Sequence, residues 1–183
     1  MSTNGPFKQL SLAGFTAPQS WTGTLFKILP ASPEWAELDF QAVWLNRQKL
    51  HSFFGEDDCW PPDNLDLEAD RADLHWHFQE FQAGRSFAYS LLTLNQKKCL
   101  GCLYIYPTAS ENHDAEAYLW TCTTLTTARK QNVEAEIMAW LQCYWPFSAI
   151  AWPGRLIPFA CWQAPNYYAL NRAFEPTGYR PSG

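Results

Sequence analysis

Apolar residues recur at helical spacing in the segment that follows Ser32. Ser32 is a favoured N-cap, and Pro33 stands at the first helical position, where proline is preferred. The pattern predicts a long helix that ends by Gly55, since glycine commonly terminates helices. A second apolar stripe, with steps of seven, four and three residues, predicts a helix from about Asn64 to Ala83.

The middle of the chain changes from helical to strand-like spacing. Three apolar runs, 86–94, 98–106 and 114–124, are separated by short polar turns, which is typical of an antiparallel meander. Run 98–106 is almost wholly apolar, so we predict that it is a central strand buried on both faces. An earlier alternating run, 24–29, predicts a further strand.

The last part of the chain predicts helices and short strands. A helix is expected from Asn132, as its cap, to Trp145, where a following proline ends it. Short strands are expected at 148–152 and 156–162, and a final short helix over 166–175.

These elements predict an α+β fold class. We expect a single domain with a central mixed, mostly antiparallel sheet of about six to seven strands, flanked by about four helices. Residues 1–23 are polar with interspersed glycine and proline, and we interpret them as an N-terminal arm with one short strand. The domain itself is expected at 24–183, a length that suits one hydrophobic core.

Charge and hydropathy exclude several function classes. The net charge is -5, which disfavours nucleic-acid binding because such binding needs clustered Lys and Arg. No apolar run approaches the roughly 18 residues that span a bilayer. The N-terminus lacks the basic and apolar regions of a signal peptide. We therefore expect a cytoplasmic protein with no nucleic-acid or membrane partner.

Six cysteines raise the question of a metal or redox site. Cys99 and Cys102 have C-x-x-C spacing, but residues three apart on a strand point to opposite faces. The two thiols converge only if Gly101 makes a turn. No second C-x-x-C and no suitably spaced histidine accompanies them. We therefore expect structural thiols and no metal, with a metal or redox site as the alternative.

Four segments occur in a characteristic order along the chain. Segments 87–89, 100–105 and 115–120 lie on the three meander strands, and in 166–179 an Asn and an Ala-Leu helix precede a Gly-Tyr pair. In this order, and over 24–180, the chain resembles the GNAT superfamily of N-acetyltransferases. The resemblance implies the GNAT fold and acetyl-CoA as co-substrate.

The resemblance implies two contacts with acetyl-CoA. The pantetheine arm pairs with the open edge of the third meander strand, and the pyrophosphate binds the turn before the next helix. Family members carry R/Q-x-x-G-x-G/A in that turn, whereas this chain has Asn132 and Glu134 and no glycine. For Arg129 and Lys130 a solvated loop is the alternative to phosphate contact. The residues expected to bind the cofactor are Trp120, Thr121, Cys122, Thr123, Arg129, Lys130, Asn132 and Asn166.

The resemblance also implies a general base and a general acid. The base position on the third meander strand corresponds to Glu116, with an outward-facing strand residue as the alternative, and Tyr118 lies on the same face. The usual acid, a tyrosine on the last helix, corresponds to Phe174, which has no proton to donate. Tyr167 and Tyr168 are the nearest phenols and become the expected candidates.

The loop between the first two helices is expected to border the acceptor site. It holds Glu56, Asp57 and Asp58 beside Trp60. Carboxylates attract a cationic amine, and an indole ring stacks on one. A plain solvated acidic loop is the alternative.

These expectations combine into one predicted function and one alternative. The prediction is acetyl-CoA-dependent N-acetylation of a small cationic amine by direct transfer in a ternary complex. The alternative is a catalytically inactive GNAT-fold protein that binds a ligand or a partner, which the missing glycines and Phe174 favour. The expected partner is a small-molecule amine acceptor, and a homodimer is compatible with either function.

Overall fold

A computed structural model describes residues 5–172 of the chain. Within this range a single sheet has six strands in the order β1-β2-β3-β4-β5-β6. All neighbouring strands pair antiparallel except β5 and β6, which are parallel. The strands are β1 (Trp21–Thr22), β2 (Phe26–Pro30), β3 (Phe87–Thr93), β4 (Cys99–Tyr106), β5 (Ala115–Thr121) and β6 (Ile150–Ala151).

Four α-helices flank the sheet in the described part of the chain. They are α1 (Ala36–Leu50), α2 (Leu67–Gln82), α3 (Thr127–Tyr144) and α4 (Tyr167–Asn171). The predicted α+β class, with a mixed six-stranded sheet and four helices, is confirmed. Phe174 and the Gly-Tyr pair at 178–179 lie outside the described residues.

The two faces of the sheet support two hydrophobic clusters. Because side chains alternate along a strand, Ala117 and Leu119 of β5 pack toward α3, whereas Tyr118 and Trp120 pack toward α1 and α2. Residues 5–23 pack against these two clusters. For example, the Phe7 ring contacts the Tyr167 ring edge-on, with 5.1 Å between the ring centroids. The α1 and α2 side of the sheet carries the polar groups discussed below.

Strand β4 contains a bulge. Leu91 pairs with Gly101 and Leu92 pairs with Cys99, so Leu100 has no counterpart on β3. Gly101 adopts φ +150, a conformation that few L side chains tolerate. The extra residue places Cys99 and Cys102 on the same face, toward α1. The two thiols therefore converge, and the irregular backbone at Gly101 on which the prediction made convergence depend is a bulge rather than a turn.

Helix α3 begins six residues earlier than predicted. Its N-cap is Thr126, whose Oγ1 accepts a hydrogen bond from the Arg129 backbone N–H at 3.4 Å. Asn132 is therefore a residue in the second turn and not the cap. The physical reason is that a threonine hydroxyl caps well and that Ala, Arg, Lys and Gln propagate a helix readily.

The segment 156–162, expected to be a strand, is not one. It makes a single bridge, between Pro153 and Ile157, and then forms a 3-10 turn at Phe159–Cys161. Pro158 lacks the N–H that a ladder requires and precedes the turn. Beyond β6, this part of the chain turns away from β5 and opens a gap in the sheet.

Candidate active site

A cleft lies where β5 and β6 separate. The two strands pair only at Ala115 with Ile150 and at Glu116 with Ala151. Beyond these pairs a cavity of about 390 Å³ opens, lined on one side by residues 117–119 of β5 and on the other by residues 153–155. In an antiparallel ladder alternate residues bond to the same neighbour, so the backbone groups of Ala117 and Leu119 face this cleft.

The predicted strand edge lies mostly beyond the cleft. Trp120 does not line the cleft, and its Nε1 donates to the Tyr104 hydroxyl at 3.3 Å. The Cys122 N–H donates to the Leu100 carbonyl at 2.7 Å, and the Thr123 N–H donates to the Asn46 side chain at 2.8 Å. The open backbone therefore starts earlier on β5 than the sequence pattern indicated, and Thr121 is the predicted residue nearest to it.

Arg155 crosses the cleft and bonds to the open edge. Its Nη2 donates to the Leu119 carbonyl at 2.8 Å, and its Nη1 pairs with Glu134 Oε2 at 2.8 Å. Glu134 Oε1 accepts a hydrogen bond from Thr121 Oγ1 at 3.1 Å. The Glu134 carboxylate is thus paired with a cation.

The N-terminus of α3 contains no glycine and begins after the cap Thr126. The first N–H groups of a helix have no intrahelical partner, and the helix dipole favours negative charge there. Arg129 and Lys130 lie in this first turn, so two cationic side chains accompany the free N–H groups. Asn132 is exposed one turn further along and does not belong to this end.

The structure brings Glu116 and Tyr118 together beside the cleft. The Tyr118 hydroxyl donates to Glu116 Oε2 at 2.8 Å, and Thr108 Oγ1 donates to Oε1 at 2.9 Å. Glu116 is 0% exposed, and this burial raises its pKa to about 7, against the two hydrogen bonds. Tyr118 lines the cleft. The pair can therefore hold or release a proton near neutral pH.

The two tyrosines of α4 are bonded to carboxylates of α2. The Tyr167 hydroxyl donates to Glu80 Oε2 at 2.9 Å, and the Tyr168 hydroxyl donates to Asp73 Oδ1 at 2.8 Å. Neither residue lines the cleft at β5, so neither hydroxyl is placed to protonate a group there. Asn166 caps α4, since its Oδ1 accepts from the Ala169 N–H at 2.9 Å.

A second cavity, of about 800 Å³, lies next to the cleft and is acidic. The four residues expected to bind the acceptor, Glu56, Asp57, Asp58 and Trp60, all line it. Asp63, Asp70 and Asp73 add further carboxyl groups, and Asn166 and Tyr168 lie on its wall.

The acidic cavity contains a few groups that limit its negative charge. Arg172 pairs with Asp58 at 3.7 Å and lies over the Tyr168 ring at 4.9 Å. Burial raises the pKa of Asp58, and the Arg172 charge opposes that shift. Trp60 is only 7% exposed because Phe53 and Phe54 pack against it. Its indole therefore offers a small surface to a ligand.

The two cavities adjoin each other. His51 and Phe159 line both, so a molecule in the acidic cavity lies beside the β5 edge and Tyr118. The sequence analysis missed three groups of this site: Arg155, Thr108 and His51. Of these, only Arg155 carried a recognisable signal, a charged residue directly after a Pro-Gly turn.

Comparison with known proteins supports the fold. No protein-family profile and no curated protein sequence matches the chain. Among solved structures, the chain is similar to the microcin C7 self immunity acetyltransferase MccE in complex with acetyl-CoA and AMP, with TM-score 0.54 and 14% identity over 70% of this chain and 68% of that one. It is also similar to a ribosomal-protein-S5-alanine acetyltransferase from Vibrio fischeri, with TM-score 0.51 and 11% identity over 67% of each chain.

These similarities establish the architecture. The chain has the fold of the GNAT acetyltransferases, in a divergent form. It spans about two thirds of the length of the solved structures it matches. Within residues 5–172, no helix is long and apolar enough to cross a membrane.

Proposed function

We propose that this protein transfers an acetyl group from acetyl-CoA to a primary amine whose cation binds in the acidic cavity. The observation that carries the proposal is the junction of the two cavities at His51 and Phe159, with the Glu116–Tyr118 pair beside it. A strand-edge cleft and an acidic acceptor cavity therefore meet at a proton-transfer group. The similar solved proteins, named as acetyltransferases, are consistent with this chemistry.

The size of the acceptor follows from the acidic cavity. A volume of about 800 Å³ lies within the range of small-molecule sites. It holds a small cationic amine, and it also admits the first residues of a peptide with a free amino terminus. A positively charged primary amine suits this cavity, since Glu56, Asp57, Asp63 and Asp73 line it beside the Asp58–Arg172 pair, whereas burial raises the pKa of Asp70 to about 10 and keeps that carboxyl neutral.

The residues that would hold acetyl-CoA lie along β5 and at the start of α3. Ala117 and Leu119 offer backbone groups to the pantetheine amides, and the first turn of α3, with Arg129 and Lys130, offers a positive end to the pyrophosphate. Binding of acetyl-CoA requires the Arg155 guanidinium to leave the Leu119 carbonyl, since this strand edge cannot bond to the guanidinium and to the pantetheine arm at once. Glu134 keeps the released guanidinium close to the cleft.

The chain's own residues then move two protons. Acetyl-CoA supplies an acetyl group already activated as a thioester, so direct attack by the amine forms the N–C bond as the C–S bond breaks. The acceptor ammonium must first lose a proton, and Glu116 accepts it through the Tyr118 hydroxyl because Glu116 itself is fully buried. Tyr118 donates a proton to the departing sulfur and regains one from Glu116, so both side chains return to their starting state, and the second proton of the amine leaves to solvent.

Binding of acetyl-CoA is the first expectation to test. At about 100 times its dissociation constant, acetyl-CoA should stabilise the protein by about 2.7 kcal/mol and raise Tm by about 5–10 °C. Thermal unfolding with acetyl-CoA is compared with unfolding in S-acetyl-pantetheine, which lacks the pyrophosphate and should give a smaller shift. The double variant Glu134→Gln/Arg155→Gln, which frees the β5 edge without leaving a lone charge, serves as a second test protein. If neither protein responds to millimolar acetyl-CoA, the transferase proposal is wrong.

Neutralising the acidic loop should weaken acceptor binding. In the triple variant Glu56→Gln/Asp57→Asn/Asp58→Asn, three negative charges leave the cavity, and KM for a cationic amine should rise about 10-fold with kcat little changed. The salt dependence of KM should become weaker for the same reason. Glu68→Gln, on the outer side of α2, is the matched control because Glu68 does not line the cavity. An unchanged KM and unchanged salt dependence would contradict a role for the loop.

A second candidate function rests on Arg155. In the described structure its guanidinium bonds to the strand edge that a pantetheine arm requires, and Glu134 holds it there. A protein with this edge closed would use the acidic cavity to bind a cationic ligand without transferring an acetyl group. Stabilisation by amines with none by acetyl-CoA, in the wild type and in the double variant, would favour this function.

A further inference from the structure

A cluster of buried side chains lies between α1 and β4. Asp39 of α1 faces Cys99 and Cys102 of β4, with Oδ1 at 3.7 Å from the first sulfur and 3.3 Å from the second. The three ligand atoms all lie within 4.8 Å of one another, and all three residues are buried. None of them lines the cleft or the acidic cavity.

We infer that Asp39, Cys99 and Cys102 bind a thiophilic divalent metal ion, with zinc as the expected ion. Zinc bonds are about 2.3 Å to sulfur and 2.0–2.2 Å to carboxylate oxygen, so tetrahedral ligand atoms lie about 3.5–3.8 Å apart. The oxygen-to-sulfur distances of 3.3 and 3.7 Å fit this spacing. Two thiolates with one carboxylate select zinc or a similar ion over magnesium or calcium, which prefer oxygen ligands only.

The backbone of β4 is shaped to place both sulfurs at this point. Without the bulge, residues three apart on a strand would point to opposite faces, and only one thiol could reach Asp39. The bulge at Leu100 and Gly101, with φ +150 at the glycine, turns both thiols toward α1. A bulged strand that brings two cysteines to one carboxylate is a specific arrangement, which ordinary burial of hydrophobic thiols does not require.

The surroundings contain a candidate for the remaining tetrahedral position. Asp70 of α2 is buried and interacts electrostatically with Asp39. Its Oδ2 has no hydrogen-bond partner among residues 5–172. A buried carboxyl oxygen without a hydrogen-bond partner is costly unless a cation or a bound water compensates it. A metal ion at this cluster would supply that compensation either directly or through a water ligand.

The inferred ion would fix the position of α1 on the sheet. Asn46 lies two helical turns after Asp39, on the same face of α1. Its side chain donates to Cys122 Sγ at 3.1 Å and accepts from the Thr123 N–H at 2.8 Å. Asp39 and Asn46 thus connect one face of α1 to β4 and to the segment that leads into α3. The site is structural and does not depend on acetyl transfer.

Metal content of the purified protein tests this inference. Protein expressed with added zinc should contain about one zinc ion per chain by inductively coupled plasma mass spectrometry, and the Cys99→Ser and Cys102→Ser variants should lose most of it. Cys143→Ser is the matched control, since Cys143 is an exposed cysteine of α3, and it should retain the zinc.

Cobalt spectroscopy of the wild-type protein tests the inference even if the Cys99→Ser and Cys102→Ser variants fail to fold. Wild-type protein refolded with Co²⁺ should show thiolate-to-cobalt charge transfer in the near ultraviolet and tetrahedral d–d bands in the visible, and the Cys143→Ser control should show the same bands. Wild-type protein with fewer than about 0.2 zinc ions per chain and no cobalt–thiolate bands would overturn the inference. A signal that persists in Cys99→Ser and Cys102→Ser but disappears in Cys143→Ser would overturn it equally.

Discussion

Replacing Glu116 with glutamine is expected to lower kcat for acetyl transfer by about 10²- to 10⁴-fold, the range for loss of a general base. Glutamine keeps the size of the side chain. Its oxygen accepts from one of the Thr108 and Tyr118 hydroxyls and its NH2 group donates to the other, but it cannot take a proton. The measurement is release of the CoA thiol with the primary amine that gives the highest wild-type rate. KM for that amine should change little, because Glu116 does not line the acidic cavity.

The pH dependence distinguishes proton transfer from a structural role. Because burial raises the pKa of Glu116 to about 7, the wild-type rate should rise as pH increases through 7 and then level off. Glu116→Gln should lose this rise. In Thr108→Val the carboxylate loses the hydrogen bond that lowers its pKa, so the midpoint should move to higher pH while the maximal rate is largely retained. A wild-type profile with no rise near pH 7 would argue against Glu116 as the proton acceptor.

The same carboxyl group has a stability signature that is independent of any substrate. The pKa of Glu116 is higher in the folded state, about 7, than its ordinary 4.5, so the folded state holds the proton more tightly. The resulting stabilisation is fully present below pH 4.5 and is lost as pH rises through 7, a difference of about 3 kcal/mol. Glu116→Gln should therefore gain stability relative to wild type between pH 5 and 8 in denaturant titrations.

The sequence could predict those parts of the site that depend only on residues close together in the chain. Side-chain alternation predicted that Glu116 and Tyr118 share a face, and their hydrogen bond of 2.8 Å agrees with that expectation. A run of acidic residues in one loop predicted that Glu56, Asp57 and Asp58 lie together, and they line one cavity. Their roles in acceptor binding stay predictions.

The parts that sequence could not predict depend on tertiary arrangement. The contact of Arg155 with Leu119 exists only because β5 and β6 separate after two residue pairs, and no local pattern specifies where strands part. The hydrogen bond from Tyr167 to Glu80 joins residues that are 87 positions apart in the sequence. The start of α3 was mispredicted because Asn132 and Thr126 are both good caps, and only the helix as a whole decides between them.

The position of α3 changes the significance of the missing glycines. Glycine in such a turn lets a phosphate approach the backbone. Exposed N–H groups after a threonine cap are a second way for a backbone to bind a phosphate. Arg129 and Lys130 lie in the first turn, so in the proposed function their cations would replace part of what close backbone approach supplies. This arrangement predicts a cofactor affinity that depends strongly on salt, because the phosphate contact is mainly between exposed charges.

The Gly101→Ala substitution is expected to destabilise the protein by about 3 kcal/mol or more, a loss of roughly 6–12 °C in Tm for a domain of this size. A Cβ at this position would lie 2.0 Å from the Trp120 carbonyl oxygen and 3.1 Å from the Thr121 Cα. Both are backbone atoms of β5 and cannot move aside without breaking the β4–β5 ladder. The φ of +150 adds conformational strain for any L side chain.

Gly84→Ala is the matched control for this substitution. Gly84 also has positive φ, +67, but a Cβ there meets nothing within 4 Å, so only the conformational term of about 1 kcal/mol applies. Urea unfolding of the two variants separates the steric cost from the cost of the backbone conformation. Equal losses in the two variants would contradict the close approach of β4 and β5 at Gly101. Because the bulge also aligns Cys99 with Cys102, any folded Gly101→Ala protein should have lost its zinc, whereas Gly84→Ala should keep it.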